Sequence, residues 1–373
     1  MSGCRAIGLM SGTSLDGVDI ALVDTDGERL SALGPTGYRP YTQAQRALLR
    51  DALAAATTLS DRNARPGVLA EAERLVTEAH AETVAAFLTE HGLAAADIGV
   101  IGFHGQTVLH RPAQRLTVQI GDGRALAARL AIPVAYDFRA ADVAAGGEGA
   151  PLVAIFHQAL ATMIDRPSPL VVVNIGGIAN VTCLADGAPP LACDTGPGNA
   201  LIDDFLHAHG GPPFDAGGMI AAQGQVNEAF VARVLAQPFF AARPPKSLDR
   251  NDFALASIAL PELALTDGAA TLAALTARAI AGIVPHLPRT PACWIVAGGG
   301  ARNRTILRML ADAVAPAQVE TADAIGWSAD ALEAQAFAYL AVRTLRGLPI
   351  TFPTTTGVAR PMTGGIVARP DKR

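Results

Sequence analysis

A tight turn near the start of the chain carries residue types that can bind a phosphate group. It reads Gly12-Thr13-Ser14-Leu15-Asp16-Gly17 and is followed by Val18 and Asp19. Glycine lets a ligand approach the backbone closely, and the threonine and serine hydroxyls can donate hydrogen bonds to phosphate oxygens. Asp16 and Asp19 can orient water bound to a metal ion. The alternative is an ordinary hairpin turn stabilised by its own Ser and Asp side chains.

Two more glycine-rich segments each follow an apolar run. Gly176-Gly177-Ile178-Ala179-Asn180 comes directly after residues 169–175, whose Val and Ile content predicts a buried strand. Gly298-Gly299-Gly300 separates a predicted strand from a helix that begins near Asn303. Strand ends face the ligand crevice of open α/β sheets, and a helix N-terminus attracts anions. The alternatives are a tight hairpin and a common strand-to-helix joint, and neither segment has the Gly-x-Gly-x-x-Gly dinucleotide spacing.

One aspartate is placed where a catalytic base would be useful. Asp194 lies between an apolar strand and the turn Thr195-Gly196-Pro197-Gly198, which opens a helix at Asn199. A carboxylate held there can act as a general base. By spacing alone, a turn or helix-capping aspartate is an equal alternative.

Polar side chains in apolar surroundings give further candidates for substrate binding. His104 follows a predicted strand at 98–103, where a buried core histidine is the alternative. Arg139 can pair with a substrate carboxylate through its bidentate fork or form a salt bridge. Glu333 lies in an apolar helix, where burying it without a partner is costly, unless water solvates it.

The scarcity of lysine limits how the chain can hold a nucleotide. Of 29 Lys and Arg residues only Lys246 and Lys372 are lysines, and neither follows a glycine-rich loop. Walker-type NTPases and protein kinases need a lysine on the phosphates. If the chain uses ATP, backbone amides and a metal ion must replace that lysine.

The spacing of apolar residues predicts the elements that position these segments. Strands at 6–10 and 18–24 flank the first turn, and the same strand, glycine turn, strand plan recurs around Gly176. The Gly-rich joint at 144–149 is the expected crossover between two domains. The other predicted elements are strands at 98–103, 118–120, 133–136 and 294–297 and helices at 69–87 (in a stretch ended by Gly92), 122–130, 199–208, 227–235, 266–285, 303–313 and 328–346.

Composition excludes several classes of protein. A chain of 373 residues exceeds the size at which one hydrophobic core stops growing, so two domains are expected. A net charge of -5 with 17% charged residues argues against a nucleic-acid partner. The apolar stretches are broken by Gly, Asp or Arg, so we expect no run of about 20 residues that spans a membrane. The first residues do not form a signal peptide, which indicates a cytoplasmic protein, and the spacing of the four cysteines indicates no zinc site.

Several of these segments, taken in order, resemble signature sequences of the anhydro-N-acetylmuramic acid kinase family. They are residues 7–19, 102–107, 174–180 and 194–199, and residues 333–338 and the terminal Pro-Thr-Thr-Thr-Gly extend the likeness to nearly the whole chain. The family is similar to actin, hexokinase and Hsp70, which bind nucleotide without a P-loop lysine.

The resemblance implies a fold and a domain organisation. It implies a two-domain α/β protein with the actin-like ATPase (ribonuclease H-like) fold, in which a nucleotide and sugar cleft lies between the domains. The expected N-terminal lobe comprises residues 1–140 plus 347–373, and the C-terminal lobe comprises residues 141–346.

The resemblance also implies an activity in cell-wall (peptidoglycan) recycling. It implies conversion of 1,6-anhydro-N-acetylmuramic acid, ATP and water into N-acetylmuramic acid 6-phosphate and ADP, with Asp194 as the base that activates water. The implied Mg²⁺ would contact Asp16 and Asp194 through water. The expected nucleotide-binding residues are Gly12, Thr13, Ser14, Leu15, Asp16, Gly17, Val18, Asp19, Gly176, Gly177, Asn180, Gly298, Gly299 and Asn303. The expected sugar-binding residues are His104, Gln106, Arg139 and Glu333.

Two other functions stay open on the sequence alone. One is a kinase of the same fold that phosphorylates an ordinary hexose or amino sugar, with Asp194 deprotonating a hydroxyl. The other is a non-catalytic, ATP-driven interaction protein like actin or Hsp70. The expected partners are ATP and a small sugar, with no nucleic acid and no membrane, and the oligomeric state, a homodimer included, stays open.

Overall fold

The computed structural model describes residues 3–12, 14–248, 253 and 255–370 of the chain. The strands are β1 (Cys4–Ser11), β2 (Gly17–Thr25), β3 (Leu30–Pro40), β4 (Val100–Arg111), β5 (Leu116–Ile120), β6 (Val134–Tyr136), β7 (Leu170–Ile175), β8 (Ile178–Leu184), β9 (Leu191–Pro197), β10 (Cys293–Ala297), β11 (Gln318–Thr321) and β12 (Ile366–Ala368).

Helices alternate with these strands along most of the chain. They are α1 (Gln43–Ala56), α2 (Val68–Glu90), α3 (Gly123–Leu130), α4 (Ala140–Ala144), α5 (Ala154–Ala161), α6 (Asn199–Ala208), α7 (Glu228–Leu235), α8 (Pro238–Ala241), α9 (Leu255–Ile258), α10 (Leu265–Ala281), α11 (Arg304–Val314), α12 (Leu332–Leu345) and α13 (Pro353–Thr356).

The first compact unit of the chain is built on a seven-stranded sheet. This unit 1 comprises Met1–Met163 and Ala331–Arg373. Its central strand order is β3-β2-β1-β4-β6, with β12 beyond β6 and β5 paired with β4. β2 runs antiparallel to both β1 and β3, whereas β1, β4 and β6 are parallel. The predicted hairpin around the first glycine turn is therefore confirmed.

The second compact unit repeats this plan with a five-stranded sheet. This unit 2 comprises Ile164–Asp330, and its strand order is β9-β8-β7-β10-β11. β8 is antiparallel to β7 and β9, whereas β7, β10 and β11 are parallel. The two units thus share one strand order with one set of directions, which is the ribonuclease H-like arrangement found in duplicate in actin-like ATPases. The α/β class and the expected duplication are confirmed.

Two glycines allow α12 to lie directly on the sheet of unit 1. Gly8 of β1 and Gly102 of β4 are neighbours in the parallel ladder. A Cβ atom on Gly8 would lie 1.8 Å from the Ala334 carbonyl oxygen, and one on Gly102 would lie 2.0 Å from the Phe337 carbonyl oxygen. Successive strand residues point to opposite faces. Ile7, next to Gly8, accordingly belongs to the core cluster on the other face, with residues of α1 and α2.

The observed unit boundaries differ from those expected from the sequence. Unit 1 extends to Met163 and resumes at Ala331, so α4, α5 and α12 belong to it and not to the C-terminal lobe. The physical reason for α12 is its contact with Gly8 and Gly102. The Gly-rich joint at 144–149, the expected crossover, lies inside unit 1, where Gly149 N donates to Asp142 Oδ1 over 2.7 Å.

One helical stretch corrects the expectation that no segment could span a bilayer. Leu265–His286 is long and apolar enough to cross a membrane by length and composition. However, 72% of its most apolar window is buried within the protein, and α10, which forms most of it, belongs to the core cluster of unit 2. Burial of this kind is typical of a core helix, which needs no polar face.

Candidate active site

The first glycine turn of unit 1 is a compact hydrogen-bonded loop. Leu15 N donates to Gly12 O over 3.2 Å, and Leu15 has a left-handed φ of 55°. Ser14 Oγ donates to Asp16 Oδ1 over 2.7 Å, and both side chains are exposed. The side chains of Leu15 and Val18 are buried in the core, so these two residues can offer a ligand only their backbone. Thr13 lies outside the described residues.

A cluster of buried polar residues forms hydrogen bonds with this turn and with the end of β1. Gln106 is fully buried, and its Oε1 accepts a hydrogen bond from Ser11 Oγ over 2.7 Å. Its Nε2 donates to Gly12 O over 3.1 Å. Tyr41 Oη lies 3.1 Å from Ser11 Oγ, and burial raises the pKa of Tyr41 to about 12. Gln106, expected at the sugar, therefore contacts the glycine turn and not the surface.

His104, which lies two residues before Gln106 in β4, contacts Arg139. Arg139 Nη2 lies 3.2 Å and Nε 3.4 Å from His104 Nε2, and His104 Nδ1 lies 2.8 Å from Gly105 O. A guanidinium only donates and a carbonyl only accepts, so these contacts require the neutral tautomer with a proton on Nδ1. Burial and the charge of Arg139 lower the pKa of His104 to about 3, in agreement with a neutral ring.

Arg139 and Glu333 influence each other electrostatically. Loss of solvation lowers the pKa of Arg139, and Glu333 and Asp142 oppose that shift. Partial loss of solvation raises the pKa of Glu333, and the charge of Arg139 lowers it. Glu333 is nevertheless an exposed residue. Because Glu333 is an exposed residue, the solvated alternative describes it.

Unit 1 contains a polar pocket of about 310 Å³ beside the middle of β4 and the last residues of β5 and β6. His104 belongs to its lining, together with Tyr136 and Asp137. Arg62 Nη2 contacts both carboxylate oxygens of Asp137 over 2.6 Å, and Asp137 has a left-handed φ of 59°. A pocket of this size with polar side chains in its lining can bind a small polar ligand.

In unit 2, two of the predicted glycine segments meet the start of α6. Asn199 N donates to Gly176 O over 2.8 Å, and Gly198 N donates to Gly177 O over 2.9 Å. Gly298 has a φ of 77°, and a Cβ atom there would lie 2.3 Å from Asn174 Oδ1. The helix start and both glycine segments therefore surround one small volume.

Asp194 belongs to a row of polar residues across the sheet of unit 2. Asn174 is paired with Asn180, and Asn180 with Asp194, in adjacent antiparallel strands. Directly opposite residues in such strands point to the same face. Val173 and Ile175, the neighbours of Asn174, belong to the core cluster on the other face. Asn180 and Asp194, expected at the nucleotide and as base, thus share the sheet face that is opposite to this core.

A loop segment that the sequence analysis did not single out binds Asp194. Leu248 N donates to Asp194 Oδ2 over 2.8 Å, and Asp194 N donates to Lys246 O over 3.0 Å. Lys246 is itself held by a hydrogen bond from its Nζ to Phe239 O over 2.8 Å. The one feature of the sequence that marks this segment is Lys246, which is one of only two lysines in the chain.

Unit 2 also contains a pocket of about 310 Å³ beside the triple glycine. Its lining includes Asn199, Asp203, Phe214, Gly299, Arg302 and Asn303. Asn303 Oδ1 accepts from Thr305 N and Ile306 N over 3.1 and 3.0 Å, so this side chain caps α11. Phe214 is 58% exposed and offers a flat apolar surface. Asp203 and Phe214 were not predicted, because their sequence positions lack any motif. Arg302 was not predicted as a site residue either, although it lies between Gly300 and Asn303 in a segment that the sequence analysis singled out.

Comparison with known proteins decides the family. A family model described as anhydro-N-acetylmuramic acid kinase matches residues 4–369. The chain belongs to this family. It is 66% identical over 365 residues to the anhydro-N-acetylmuramic acid kinase of Rhodopseudomonas palustris (strain BisB18), covering 98% of this chain and 100% of that protein. It is 62% identical over 366 residues to the enzyme of that name from Nitrobacter winogradskyi, covering 98% and 99%.

The family match includes all the segments on which the resemblance was based, from residue 7 to residue 357. Among solved structures, component A of the (R)-2-hydroxyglutaryl-CoA dehydratase of Acidaminococcus fermentans covers 92% of this chain and is covered over 99% of its own length. Its TM-score is 0.46 and its identity 12%, and at this level the likeness carries no argument.

Proposed function

We propose that this member of the anhydro-N-acetylmuramic acid kinase family hydrolytically opens 1,6-anhydro-N-acetylmuramic acid and phosphorylates O6 with ATP. The products are N-acetylmuramic acid 6-phosphate and ADP, in peptidoglycan recycling. The observation that carries the proposal is the 66% identity over 98% of the chain to a relative of that name. Family membership argues against both an ordinary sugar kinase and a non-catalytic ATP-driven protein. ATP as donor fits a reaction in the cytoplasm.

The substrate determines which proton the enzyme must remove. In the anhydro sugar O6 is bonded to C1 in an internal ether, so it carries no hydroxyl proton. We propose that a water molecule attacks C1 while Asp194 accepts a proton from it and the C1–O6 bond breaks. The electron pair of that bond stays on O6, which attacks the γ-phosphorus of ATP and releases ADP.

The surroundings of Asp194 support its role as the base. The Leu248 amide binds Oδ2, which fixes the direction of the carboxylate. Asn180 and Asn174 lie in the same row and supply polar neighbours on the same sheet face. A general base needs a fixed position within hydrogen-bond reach of the proton that it removes. The Leu248 contact provides that fixation.

The nucleotide is proposed to bind through backbone and not through lysine. In unit 1 the contacts would come from Gly12 to Asp19, and in unit 2 from Gly176, Gly177, Asn180, Gly298, Gly299 and Asn303. Neutral backbone amides at glycine turns and at the start of α6 can hold phosphate oxygens. The 310 Å³ pocket of unit 2, with the flat ring of Phe214, would accept the adenosine part.

The residues present can bind a Mg²⁺ ion that is coordinated by the phosphates of a nucleotide. Mg²⁺ is usually held by one or two carboxylates plus substrate phosphates and water. The exposed carboxylate of Asp16 suits such a site, and Asp194 is the second candidate, each through water. No group of three or more His, Cys, Asp or Glu residues forms a metal cage in the described part of the chain. When bound, Mg²⁺ would neutralise negative charge on the phosphate oxygens.

The sugar is proposed to bind in unit 1 near His104, Arg139 and Glu333. Three of the five N–H donors of Arg139 contact Gly149 O and His104 Nε2, which leaves two donors for the lactyl carboxylate. Gln106 would act indirectly, by holding the glycine turn.

Substrate choice tests the proposed function. The purified protein should phosphorylate 1,6-anhydro-N-acetylmuramic acid with ATP, with kcat/KM at least about 100-fold above that for free N-acetylmuramic acid, because only the anhydro sugar supplies O6 by bond cleavage. Coupled detection of ADP with mass spectrometry of the sugar product measures both reactions. Efficient phosphorylation of free N-acetylmuramic acid without turnover of the anhydro sugar would contradict the proposal.

A further inference from the structure

A buried carboxylate outside the predicted site joins two distant parts of unit 1. Asp142 of α4 is 2% exposed. Its Oδ1 accepts a hydrogen bond from Gly149 N over 2.7 Å, and its Oδ2 accepts one from Thr356 Oγ1 over 2.6 Å. Thr356 is fully buried and belongs to α13, near the end of the chain. Each oxygen of this carboxylate thus binds a different segment.

These contacts hold the glycine-rich loop that follows α4. Gly147 N donates to Asp142 O over 2.9 Å, and Glu148 N donates to Thr356 O over 2.7 Å. Gly149 has a left-handed φ of 67°. Glycine gives a loop great conformational freedom, so such a loop keeps one shape only when other groups bind its backbone. Asp142 and Thr356 supply those groups.

The loop in turn binds Arg139. Arg139 Nη1 donates to Gly149 O over 2.7 Å, while its Nη2 and Nε face His104 Nε2. Gly149 therefore accepts from Arg139 with its carbonyl and donates to Asp142 with its amide. A shift of this one residue would move the guanidinium away from the imidazole. The chain of contacts runs from Thr356 through Asp142 and Gly149 to Arg139.

We propose that Asp142 and Thr356 are positioning residues for the sugar side of the site, acting through Gly149 on Arg139. The proposal rests on the proposed function for the role of Arg139. It also gives the last segment of the chain a part in recognition of the acidic sugar, because Thr356 comes from that segment. Neither residue touches substrate in this scheme.

Matched variants separate this role from a merely structural one. In Thr356→Val the hydroxyl donor is lost at nearly constant shape, and in Thr356→Ser the donor is kept. We expect Asp142→Asn and Thr356→Val to lower kcat/KM for the anhydro sugar by about 10-fold or more, since one charge-assisted hydrogen bond contributes roughly this much. KM for ATP should change less than about two-fold, and Thr356→Ser should stay within about three-fold of the wild type.

A double-mutant cycle tests the route through Arg139. If Asp142 acts through Arg139, then Asp142→Asn should hardly lower kcat/KM for the anhydro sugar once Arg139 is replaced by Met. The kcat/KM of the double variant should match that of Arg139→Met within about two-fold. Additive losses would overturn the proposal. Equal losses for Thr356→Ser and Thr356→Val, or an equal rise in the KM values of both substrates, would also overturn it.

A spectroscopic measurement keeps this inference separate from the proposed function. If the wild type fails to turn over the anhydro sugar, the proposed function fails, whereas the ¹⁵N NMR shifts of the His104 ring still report its contact with Arg139. We expect Asp142→Asn and Thr356→Val to shift the His104 Nε2 signal and Thr356→Ser to leave it unchanged. An unchanged Nε2 signal in all three variants would contradict the inference.

Discussion

Replacing Asp194 by Asn is expected to lower kcat by about 10²–10⁴-fold, the usual contribution of a general base. Asn has the same shape and keeps an oxygen that can accept the hydrogen bond from Leu248 N. What it loses is the ability to take a proton from water. Because the glycine turns and the 310 Å³ pocket of unit 2 are unchanged, the Kd for ATP should stay within about three-fold. Steady-state kinetics and calorimetric titration with a non-hydrolysable ATP analogue measure the two quantities.

Asp186→Asn is a suitable control for this variant. Asp186 is an exposed aspartate of the same unit, in the β8–β9 connection, and the substitution makes the same change in charge. It should leave kcat within about two-fold of the wild type. If Asp194→Asn turned over at a rate near that of Asp186→Asn, Asp194 would have no part in proton transfer.

Gly8→Ala is expected to destabilise unit 1 by at least about 3 kcal/mol, at the upper end of the usual cost of overpacking. The added methyl group would lie 1.8 Å from Ala334 O and 2.4 Å from Ala338 N. Both atoms belong to the backbone of α12, so relief requires the helix to move from the sheet. Calorimetry or circular dichroism should show a fall in Tm of roughly 6–12 °C for a unit of this size.

The control for this variant is Gly3→Ala, because a Cβ atom on Gly3 has no neighbour within 4 Å. Its Tm should lie within about 1 °C of the wild type. A Gly8→Ala protein with an unchanged Tm would mean that α12 does not lie against β1 as described. Activity should fall with stability in Gly8→Ala, since α12 carries Glu333.

Local patterns were sufficient to predict the strands and turns that carry the candidate site. The hairpin β1–β2 and the buried strand β7 follow from short apolar runs bounded by glycine, and Asn303 caps α11 as a helix start should. By contrast β3 was not predicted. It is a largely exposed strand containing Gly34, Pro35 and Gly37, so neither alternation nor β-propensity marks it.

Contacts between distant segments account for what the sequence could not predict. Glycines at 144–149 are typical of a linker, yet a hydrogen bond from Thr356 to Asp142 keeps this loop in unit 1. The assignment of α12 to unit 1 depends on Gly8 and Gly102, which leave room for its backbone. The sequence alone does not show which helix packs against these two glycines. The resemblance placed Gln106 among the expected sugar-binding residues, whereas in the structure its amide group forms hydrogen bonds with Ser11 and Gly12.

In the proposed reaction, Asp194 activates water and not a sugar hydroxyl. The most direct test of this step is turnover of 1,6-anhydro-N-acetylmuramic acid and ATP in H₂¹⁸O, with mass spectrometry of the product under conditions where spontaneous exchange at C1 is slower than turnover. We predict one ¹⁸O atom at C1 and none in the transferred phosphate group. A 6-phosphate product with ¹⁶O at C1, or with ¹⁸O in the phosphate, would contradict this mechanism.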